Sequence, residues 1–376
     1  MIHILYSADY ELYLGRITTS EEEVLITPTN ALLATCSELD IPLTLFADVA
    51  CFWRYRELNR PHFPDQAEAQ LVQAIRHGHD VQTHLHPHWH HTRIEDRTFL
   101  FDPTHYLAGT CSSDPLERAA WLHDWLQRAR EYLTRLLIPH NPHYRCLAFR
   151  AGGYGLQPDT EQILHALIQT GYRIDSSIIP GLRLSSPMQQ IDFTRVPNQA
   201  NYWLSPTHGL DQAAPQGEGL WEIPIAACRL PPGVRWRVRL PEATRQALAI
   251  LTARPPLPTR GTPCNQPSIH PASHSAGRLK QAYWRFRAIF ANDFQRLELG
   301  TDPDALLACL HHYRSIHNQQ QPIFLSMNIH PKGIHPPHLT ALARFHRTLM
   351  QPHPGQVRAI TFQQAWEILQ NTTPGS

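Results

Sequence analysis

The feature of this 376-residue chain that most restricts its fold is a regular alternation of short apolar runs with longer helical patterns. The apolar runs have the length of β-strands, and the segments between them have the length and spacing of helices. Strands separated by helices form parallel βαβ units, because a parallel strand requires a long crossover connection. The sequence therefore predicts an α/β fold whose mainly parallel sheet is either doubly wound or closed into a barrel.

The predicted elements cover most of residues 1–376, which we expect to form one catalytic domain. The predicted strands are Ile2–Ala8, Pro42–Asp48, Asp80–His86, Cys146–Arg150, Ile323–Ile329 and Val357–Ile360. The predicted helices are Thr27–Leu39, with Thr27 as its cap, Asp65–His77, Leu116–Leu137, Pro158–Gly171, Asp302–Asn318, Pro337–Met350 and one after the last strand.

Residues Cys228 to Leu299 (228–299) interrupt this alternation and predict a large insertion. They contain the proline-rich stretch RPPLPTRGTPCNQP between two segments that mix basic and aromatic residues. Such a composition favours an insertion that covers a site or binds a partner over an independent domain. The mixed residues are Arg235, Trp236, Arg237, Arg239, Tyr283, Trp284, Arg285, Phe286 and Arg287. They predict either a docking surface for a phosphorylated substrate or a membrane, or a basic lid helix with solvated charges.

The overall composition excludes several classes of protein. A hydrophobic content of 42% and a charged content of 17% are typical of a folded protein. The formal net charge of +1 gives no bulk attraction to nucleic acid, and no apolar run is long enough for a transmembrane helix. Seven scattered cysteines argue against a disulfide framework and a thiolate zinc site. Because the chain opens on a strand pattern rather than a signal peptide, we predict a cytoplasmic protein.

Ionisable residues lie where predicted strands end. Asp9 and Glu11 end the first strand, and His84 and His86 end the third, within VQTHLHPHWHH, which has five histidines in eight residues. Members of each pair are two residues apart and share a face of an extended chain. One carboxylate and two imidazoles suit a catalytic Zn²⁺ or a related ion. Taken singly, each residue is equally explained as a turn cap or a surface histidine, so their joint occurrence carries the prediction.

Six segments resemble motifs of the polysaccharide deacetylases of the NodB-homology type, which are carbohydrate esterases. In chain order they are SADYE, HLHPHW, FRAGGYG, GYRIDSS, WEIPI and MNIHP, between residues 7 and 331. The resemblance is to a divergent branch whose second motif reads HxHPxW. It implies a distorted (β/α) barrel of about seven parallel strands, which agrees with the alternation described above.

The resemblance also implies roles for individual residues. Asp9 matches the general base, and Arg150 matches the arginine that holds this base, with a structural salt bridge as the alternative. The backbone amide of Tyr154 matches the oxyanion donor, placed by a glycine-rich turn. His330 matches the general acid that protonates the departing amine. Asp175 and Trp221 lie in matching segments and are expected to line the site or to be structural.

The metal ligands implied by the resemblance are less uniform. In the family the metal carboxylate follows the base directly, but Tyr10 occupies that position here, and Glu11 is the nearest replacement. The usual family spacing of four selects His84 and His88, whereas the His-Pro dipeptide selects His84 and His86. We therefore expect one divalent ion, bound by Glu11 or Asp9 together with His84 and one of His86 and His88. Zn²⁺ is the preferred ion, with Co²⁺, Ni²⁺ or Mn²⁺ as alternatives.

The activity implied by the resemblance is metal-dependent removal of an acyl group from an amino sugar or glycan precursor, with N-acetyl as the expected acyl group. The expected partners are an acetylated amino sugar or a lipid-linked or nucleotide-linked glycan precursor, with peripheral membrane contact and no nucleic acid. One alternative is hydrolysis of small non-sugar C–N compounds on the same fold. Another is an inert member that binds a glycan or a protein, which the altered first motif supports and the retained Asp9, Arg150 and His330 oppose.

Overall fold

The structure is a computed structural model that describes residues 1–237, 240, 244, 294–320, 322–351 and 356–372. Its centre is a nine-stranded sheet, in which eight strands follow one path. In spatial order these are β10 (Tyr202–Leu204), β11 (Leu220–Glu222), β7 (Ile174–Asp175), β6 (Ala148–Ala151), β3 (Asp80–Leu85), β2 (Leu43–Asp48), β1 (Ile2–Tyr10) and β14 (Ile323–Ile329). The ninth strand, β15 (Val357–Ala359), also pairs with β1.

The seven strands from β11 to β14 are parallel to their neighbours, and only β10 pairs in the antiparallel sense on this path. The far edge of β14 meets the segment that follows β11. There, Ser326 N donates to Pro224 O at 3.3 Å, and Ala226 N donates to Ser326 O at 3.0 Å. These bonds curl the sheet into a distorted barrel. The predicted α/β fold with about seven parallel strands is confirmed.

Helices on the outside of the sheet explain why its strands are buried on both faces. They are α1 (Thr27–Glu38), α2 (Val49–Glu57), α3 (His62–Arg76), α4 (Pro115–Leu137), α5 (Thr160–Gln169), α6 (Pro303–Ile316), α7 (Pro336–Met350) and α8 (Phe362–Thr372). All residues of β1 and β14 are buried. Every helix in the described part of the chain is too short or too polar to cross a membrane.

Two local predictions were wrong. Thr27 does not cap α1, because a π-helical turn at Glu22–Ile26 leads into it and Thr27 itself has helical torsion angles. Helix α2 was not predicted, because six of its nine residues are buried and it therefore lacks an amphipathic pattern.

The insertion begins and ends on neighbouring strands. Strand β12 (Ala227–Arg229) pairs antiparallel with β13 (Phe294–Arg296), so the chain leaves the barrel and returns to it at one place. Two further short hairpins are formed by Arg93–Glu95 (β4) with Thr98–Leu100 (β5) and by Arg183–Ser185 (β8) with Gln190–Asp192 (β9). Of the basic and aromatic residues of the insertion, 235–237 are described, whereas 239 and 283–287 lie outside the described residues. The lid or docking role stays a prediction.

Candidate active site

Arg150 of β6 lies in the interior of the barrel and is fully buried. Burying a guanidinium is costly unless its donors are satisfied and its charge is paired. Here its nitrogens donate to serine, asparagine and aspartate side chains and to one carbonyl, contributed by Ser7, Asp9, Ser176, Ser326 and Asn328. Its guanidinium carbon also lies 4.2 Å from the centroid of the Phe46 ring. The result is a rigid cation in the middle of the sheet.

Asp9, near the end of β1, is the carboxylate that this cation holds. Arg150 Nη1 donates to Asp9 Oδ1 at 2.7 Å. Burial by itself raises the pKa of Asp9, but Arg150, His84 and His330 outweigh burial and lower it. Asp9 is therefore an ionised carboxylate with one oxygen fixed and the other, Oδ2, facing His330. An ionised carboxylate held in this way can accept a proton only through Oδ2.

His330 follows β14 and lies between two carboxylates. Its Nε2 is 3.4 Å from Asp9 Oδ2, and its Nδ1 is 3.4 Å from Glu298 Oε1. Glu298 is paired in turn with Arg296 at 2.7 Å. The His330 side chain is 14% exposed and that of Glu298 is 15% exposed, against 4% for Asp9, so both lie nearer to solvent than the Asp9 carboxylate. A histidine at this position can exchange a proton with solvent and deliver it inward.

Glu11 lies immediately after β1, opposite the ends of the His84 and His86 side chains. Its Oε2 is 2.5 Å from His86 Nε2 and 3.4 Å from His84 Nε2. The three residues are buried, and their possible ligand atoms lie within 4.8 Å of one another. A carboxylate oxygen and two imidazole nitrogens that converge in this way fit a divalent ion with open coordination positions.

The orientation of both imidazoles is fixed by their surroundings. His84 Nδ1 donates to the backbone oxygen of Arg150 at 2.7 Å, which leaves Nε2 directed at Glu11. Burial lowers the pKa of His84, but the hydrogen bond to Glu11 and the charges of Asp9, Glu11 and Asp48 together outweigh burial and raise that pKa. The ring of His86 packs on Gly152, where a Cβ atom would lie 2.6 Å from His86 Cγ and 2.5 Å from Leu85 O. Only glycine fits at that position.

His88 lies beside His86, with ring centroids 5.1 Å apart, but its ring packs among aromatic side chains. Its ring stacks on Tyr106, with centroids 5.4 Å apart and planes at 22°, and it also contacts Phe101. Burial and the neighbouring His86 hold its pKa well below the usual value, so it packs as a neutral ring. Among the residues that the structure describes, the groups able to hold a metal do not include His88. The structure therefore brings His86, and not His88, to Glu11 and His84.

A second group of potential ligands consists of Asp9, Glu11 and His330, which also lie within 4.8 Å of one another. In this group Asp9 is already committed to Arg150, and only one nitrogen is available. The group with two imidazoles has the donor set that Zn²⁺ prefers. Of the two groups, Glu11, His84 and His86 therefore form the better match to the donor set of a divalent ion.

Tyr154 ends a tight turn at Gly152–Tyr154 beside the site. Gly153 and Tyr154 have φ values of +62° and +61°, the left-handed region that a residue other than glycine rarely adopts. Gln189 Nε2 donates to Gly153 O at 3.0 Å and so holds the turn. Burial raises the pKa of the Tyr154 phenol. Strained turns of this kind occur at functional sites, and the oxyanion role of the Tyr154 amide stays a prediction.

Asp175 and Trp221 have structural surroundings. Asp175 accepts hydrogen bonds from Ser177 N at 3.0 Å and Ser177 Oγ at 2.8 Å, and Ser177 in turn binds the backbone of β6. Trp221 packs edge-on against Phe324, with ring centroids 4.8 Å apart. Next to Asp175, burial and the second carboxyl group raise the pKa of Glu222 well above its usual value. This pair of acids supports the sheet and stays outside the group around Glu11.

Two residues of the site were missed by the sequence analysis. Asp48, which ends β2, accepts from Trp89 Nε1 at 2.7 Å and from His86 N at 3.3 Å, and so anchors the histidine loop. Its strand-end position was the available signal. Lys332 Nζ donates to Glu11 Oε1 at 2.8 Å with only 3% of its side chain exposed. Its burial is not readable from sequence, because lysine is usually exposed.

Comparisons with known proteins show similarity in overall structure only. No family model and no curated protein sequence matches the chain. It aligns with a structure assigned as a polysaccharide deacetylase from Mycobacterium smegmatis at 15% identity and a TM-score of 0.45, covering 100% of this chain and 93% of that one. It also aligns with a structure assigned as a polysaccharide deacetylase from Pseudomonas aeruginosa PAO1 at 14% identity and a TM-score of 0.43, covering 100% of this chain and 93% of that one. The alignment with Puue allantoinase has 13% identity and a TM-score of 0.44, and covers 100% of this chain and 92% of that one.

Proposed function

We propose that this protein is a metal-dependent hydrolase that removes an acyl group from an amino sugar or a glycan precursor, with N-acetyl as the preferred acyl group. The observation that carries the proposal is the separation of two buried carboxylates. Asp9 is paired with Arg150 at 2.7 Å, whereas Glu11 faces His84 and His86. One carboxylate is thereby prepared to take a proton and the other to bind a cation.

In this proposal Glu11, His84 and His86 would hold the ion. Zn²⁺ is the preferred ion, and Co²⁺, Ni²⁺ or Mn²⁺ are alternatives. When bound, a divalent ion supplies polarisation of an acyl carbonyl and makes water more acidic. Asp9 Oδ2 accepts the proton of the attacking water, because Oδ1 is held by Arg150. Arg150 keeps the carboxylate ionised and aimed, which is a positioning role.

His330 completes the reaction as the general acid. The water oxygen bonds to the acyl carbon, the C–N bond breaks, and His330 Nε2 gives its proton to the departing nitrogen. Glu298 Oε1, 3.4 Å from Nδ1, orients the ring so that Nε2 faces Asp9. The backbone amide of Tyr154 is proposed to donate to the oxygen that becomes negative during attack.

The proposed substrates are acetylated amino sugars in free, nucleotide-linked or lipid-linked form. This choice rests on the resemblance of the six motifs and on the basic and aromatic residues of the insertion, which suit a phosphorylated sugar. Contact with a membrane surface through those residues belongs to the same proposal.

The test starts with purified protein that is stripped of metal and reloaded with each of the four ions. Metal content is measured, and acetate release is followed on N-acetyl amino sugars with and without a nucleotide group. Asp9→Asn serves as the inactive control. Ion binding with Asp9-dependent acetate release supports the proposal. Binding of an ion together with cleavage of a cyclic ureide, and no acetate release, would transfer the activity to small C–N compounds. No ion binding would mean a binding protein without catalysis.

A further inference from the structure

Lys332 is held at both ends inside the site. Its ammonium group donates to Glu11 Oε1 at 2.8 Å and to the backbone oxygen of Leu12 at 3.1 Å. Its own backbone oxygen accepts from the Tyr13 hydroxyl at 2.5 Å, and its ammonium lies 5.5 Å from the centroid of the Tyr13 ring. The short turn Pro331–Gly333 after β14 presents it to Glu11. The cation has a fixed place beside one oxygen of the carboxylate.

The identity of this residue is informative because the chain is nearly free of lysine. Of its 33 basic residues, only Lys280 and Lys332 are lysines. An arginine fork would take both oxygens of a carboxylate, whereas an ammonium is a compact charge that can bind one oxygen and leave the other. At Glu11 the ammonium takes Oε1, and Oε2 is left facing His84 and His86.

We propose that Lys332 is a positioning residue that restricts Glu11 to a single oxygen for the metal and opposes the bound ion electrostatically. This inference rests on the proposed metal site and specifies how strongly that site binds. A buried carboxylate without a cation is costly, so Lys332 stabilises Glu11 when no ion is bound. With an ion bound, two cations share one carboxylate and repel each other.

This arrangement predicts an ordered series of metal affinities. Lys332→Met removes the repulsion and frees Oε1, so metal binding should tighten by about tenfold, within the usual range of coupling between two sites. Lys332→Arg keeps the charge but claims both oxygens, so binding should weaken by about tenfold. A lysine that only supports the fold would instead leave affinity unchanged or weaken it in both variants.

The dissociation constants of Zn²⁺ and Co²⁺ are measured by competition with a chelator for the wild type and both variants. Thermal unfolding is followed in excess chelator and in saturating ion. Because ligand that binds only the folded state adds stability, the metal-induced rise in Tm should be largest for Lys332→Met. Lys332→Gln serves as a second uncharged variant if the methionine variant does not fold. Arg344→Met, which removes an exposed cation with 63% side-chain exposure, is the charge control.

Affinities in the order methionine, lysine, arginine, with an unchanged Arg344→Met control, would support the inference. Equal affinities, or weaker binding by both uncharged variants, would overturn it while leaving the metal site intact. If the wild type binds none of the four ions, the proposed function itself fails, and the role of Lys332 fails with it.

Discussion

Replacing Gly152 by alanine should displace His86 and weaken metal binding. A Cβ atom at this position would lie 2.6 Å from His86 Cγ and 2.5 Å from Leu85 O, whereas ordinary contacts begin at 3.4 Å. Relief of the contact with His86 requires the imidazole to move by about 0.8 Å, more than the roughly 0.5 Å that a functional constellation tolerates. The contact with the backbone oxygen of β3 must be relieved separately, by a shift of the turn that carries residue 152. Overpacking of this kind costs about 1–3 kcal/mol of folding free energy. Loss of ligand orientation should lower metal affinity by about 10- to 100-fold.

The assay compares Gly152→Ala with Gly300→Ala, because a Cβ atom at Gly300 meets nothing within 4 Å. Denaturant unfolding gives the change in folding free energy, and chelator competition gives the dissociation constant of Zn²⁺. Gly300→Ala should resemble the wild type in both. Wild-type metal affinity in Gly152→Ala would show that His86 is not held by Gly152 in the metal-binding state, and the assignment of His86 as a ligand would lose its structural support.

The remaining predictions concern the proton-transfer residues, the second histidine ligand and the buried acid pair. Asp9→Asn and His330→Ala should each lower kcat by a factor of about 10² to 10⁴, with metal content retained in His330→Ala, and near-normal turnover would reject the role concerned. His86→Ala should abolish metal binding in elemental analysis, whereas His88→Ala should keep the metal and lose about 1–3 kcal/mol of stability, and the opposite pattern would exchange their roles. Since the folded-state pKa of Glu222 is raised, its contribution to stability is complete below the unfolded pKa of about 4.3 and is lost as pH rises towards the folded value. Denaturant unfolding measured against pH should therefore show a free energy of unfolding that declines as the pH rises above about 4.3, and Glu222→Gln should flatten this decline. An unaltered profile in that variant would contradict the raised pKa of Glu222.

The elements that the sequence predicted well are those with strong local patterns. Strand β14 was predicted with its observed bounds of Ile323–Ile329, because a mainly apolar run lies between Pro322 and the His330-Pro331 dipeptide. Closure of the barrel could not be predicted from the sequence. It depends on a few backbone bonds from the segment around Ile225 to β14, and such pairing leaves no periodic pattern in the sequence.

The site was only partly readable for a related reason. The proximity of Asp9, Glu11 and His84 could be predicted because strand ends of a parallel sheet meet at one edge. The choice between His86 and His88 depends on a short helical turn that directs one ring to Glu11 and the other to Tyr106. The spacing of the histidines in the sequence does not predict in which direction each ring points.

The ribbon at the base of the insertion has a practical consequence for dissecting the protein. Beyond it, Leu297 N donates to Ala226 O at 2.7 Å and Asn328 N donates to Leu297 O at 2.9 Å, so both ends are tied to the barrel independently of what lies between them. A tight two-residue hairpin joining β12 to β13 would shorten the chain by more than fifty residues and leave Glu298 beside His330. Such a miniaturised protein would allow the chemistry at Asp9 to be assayed separately from any recognition by the excised segment.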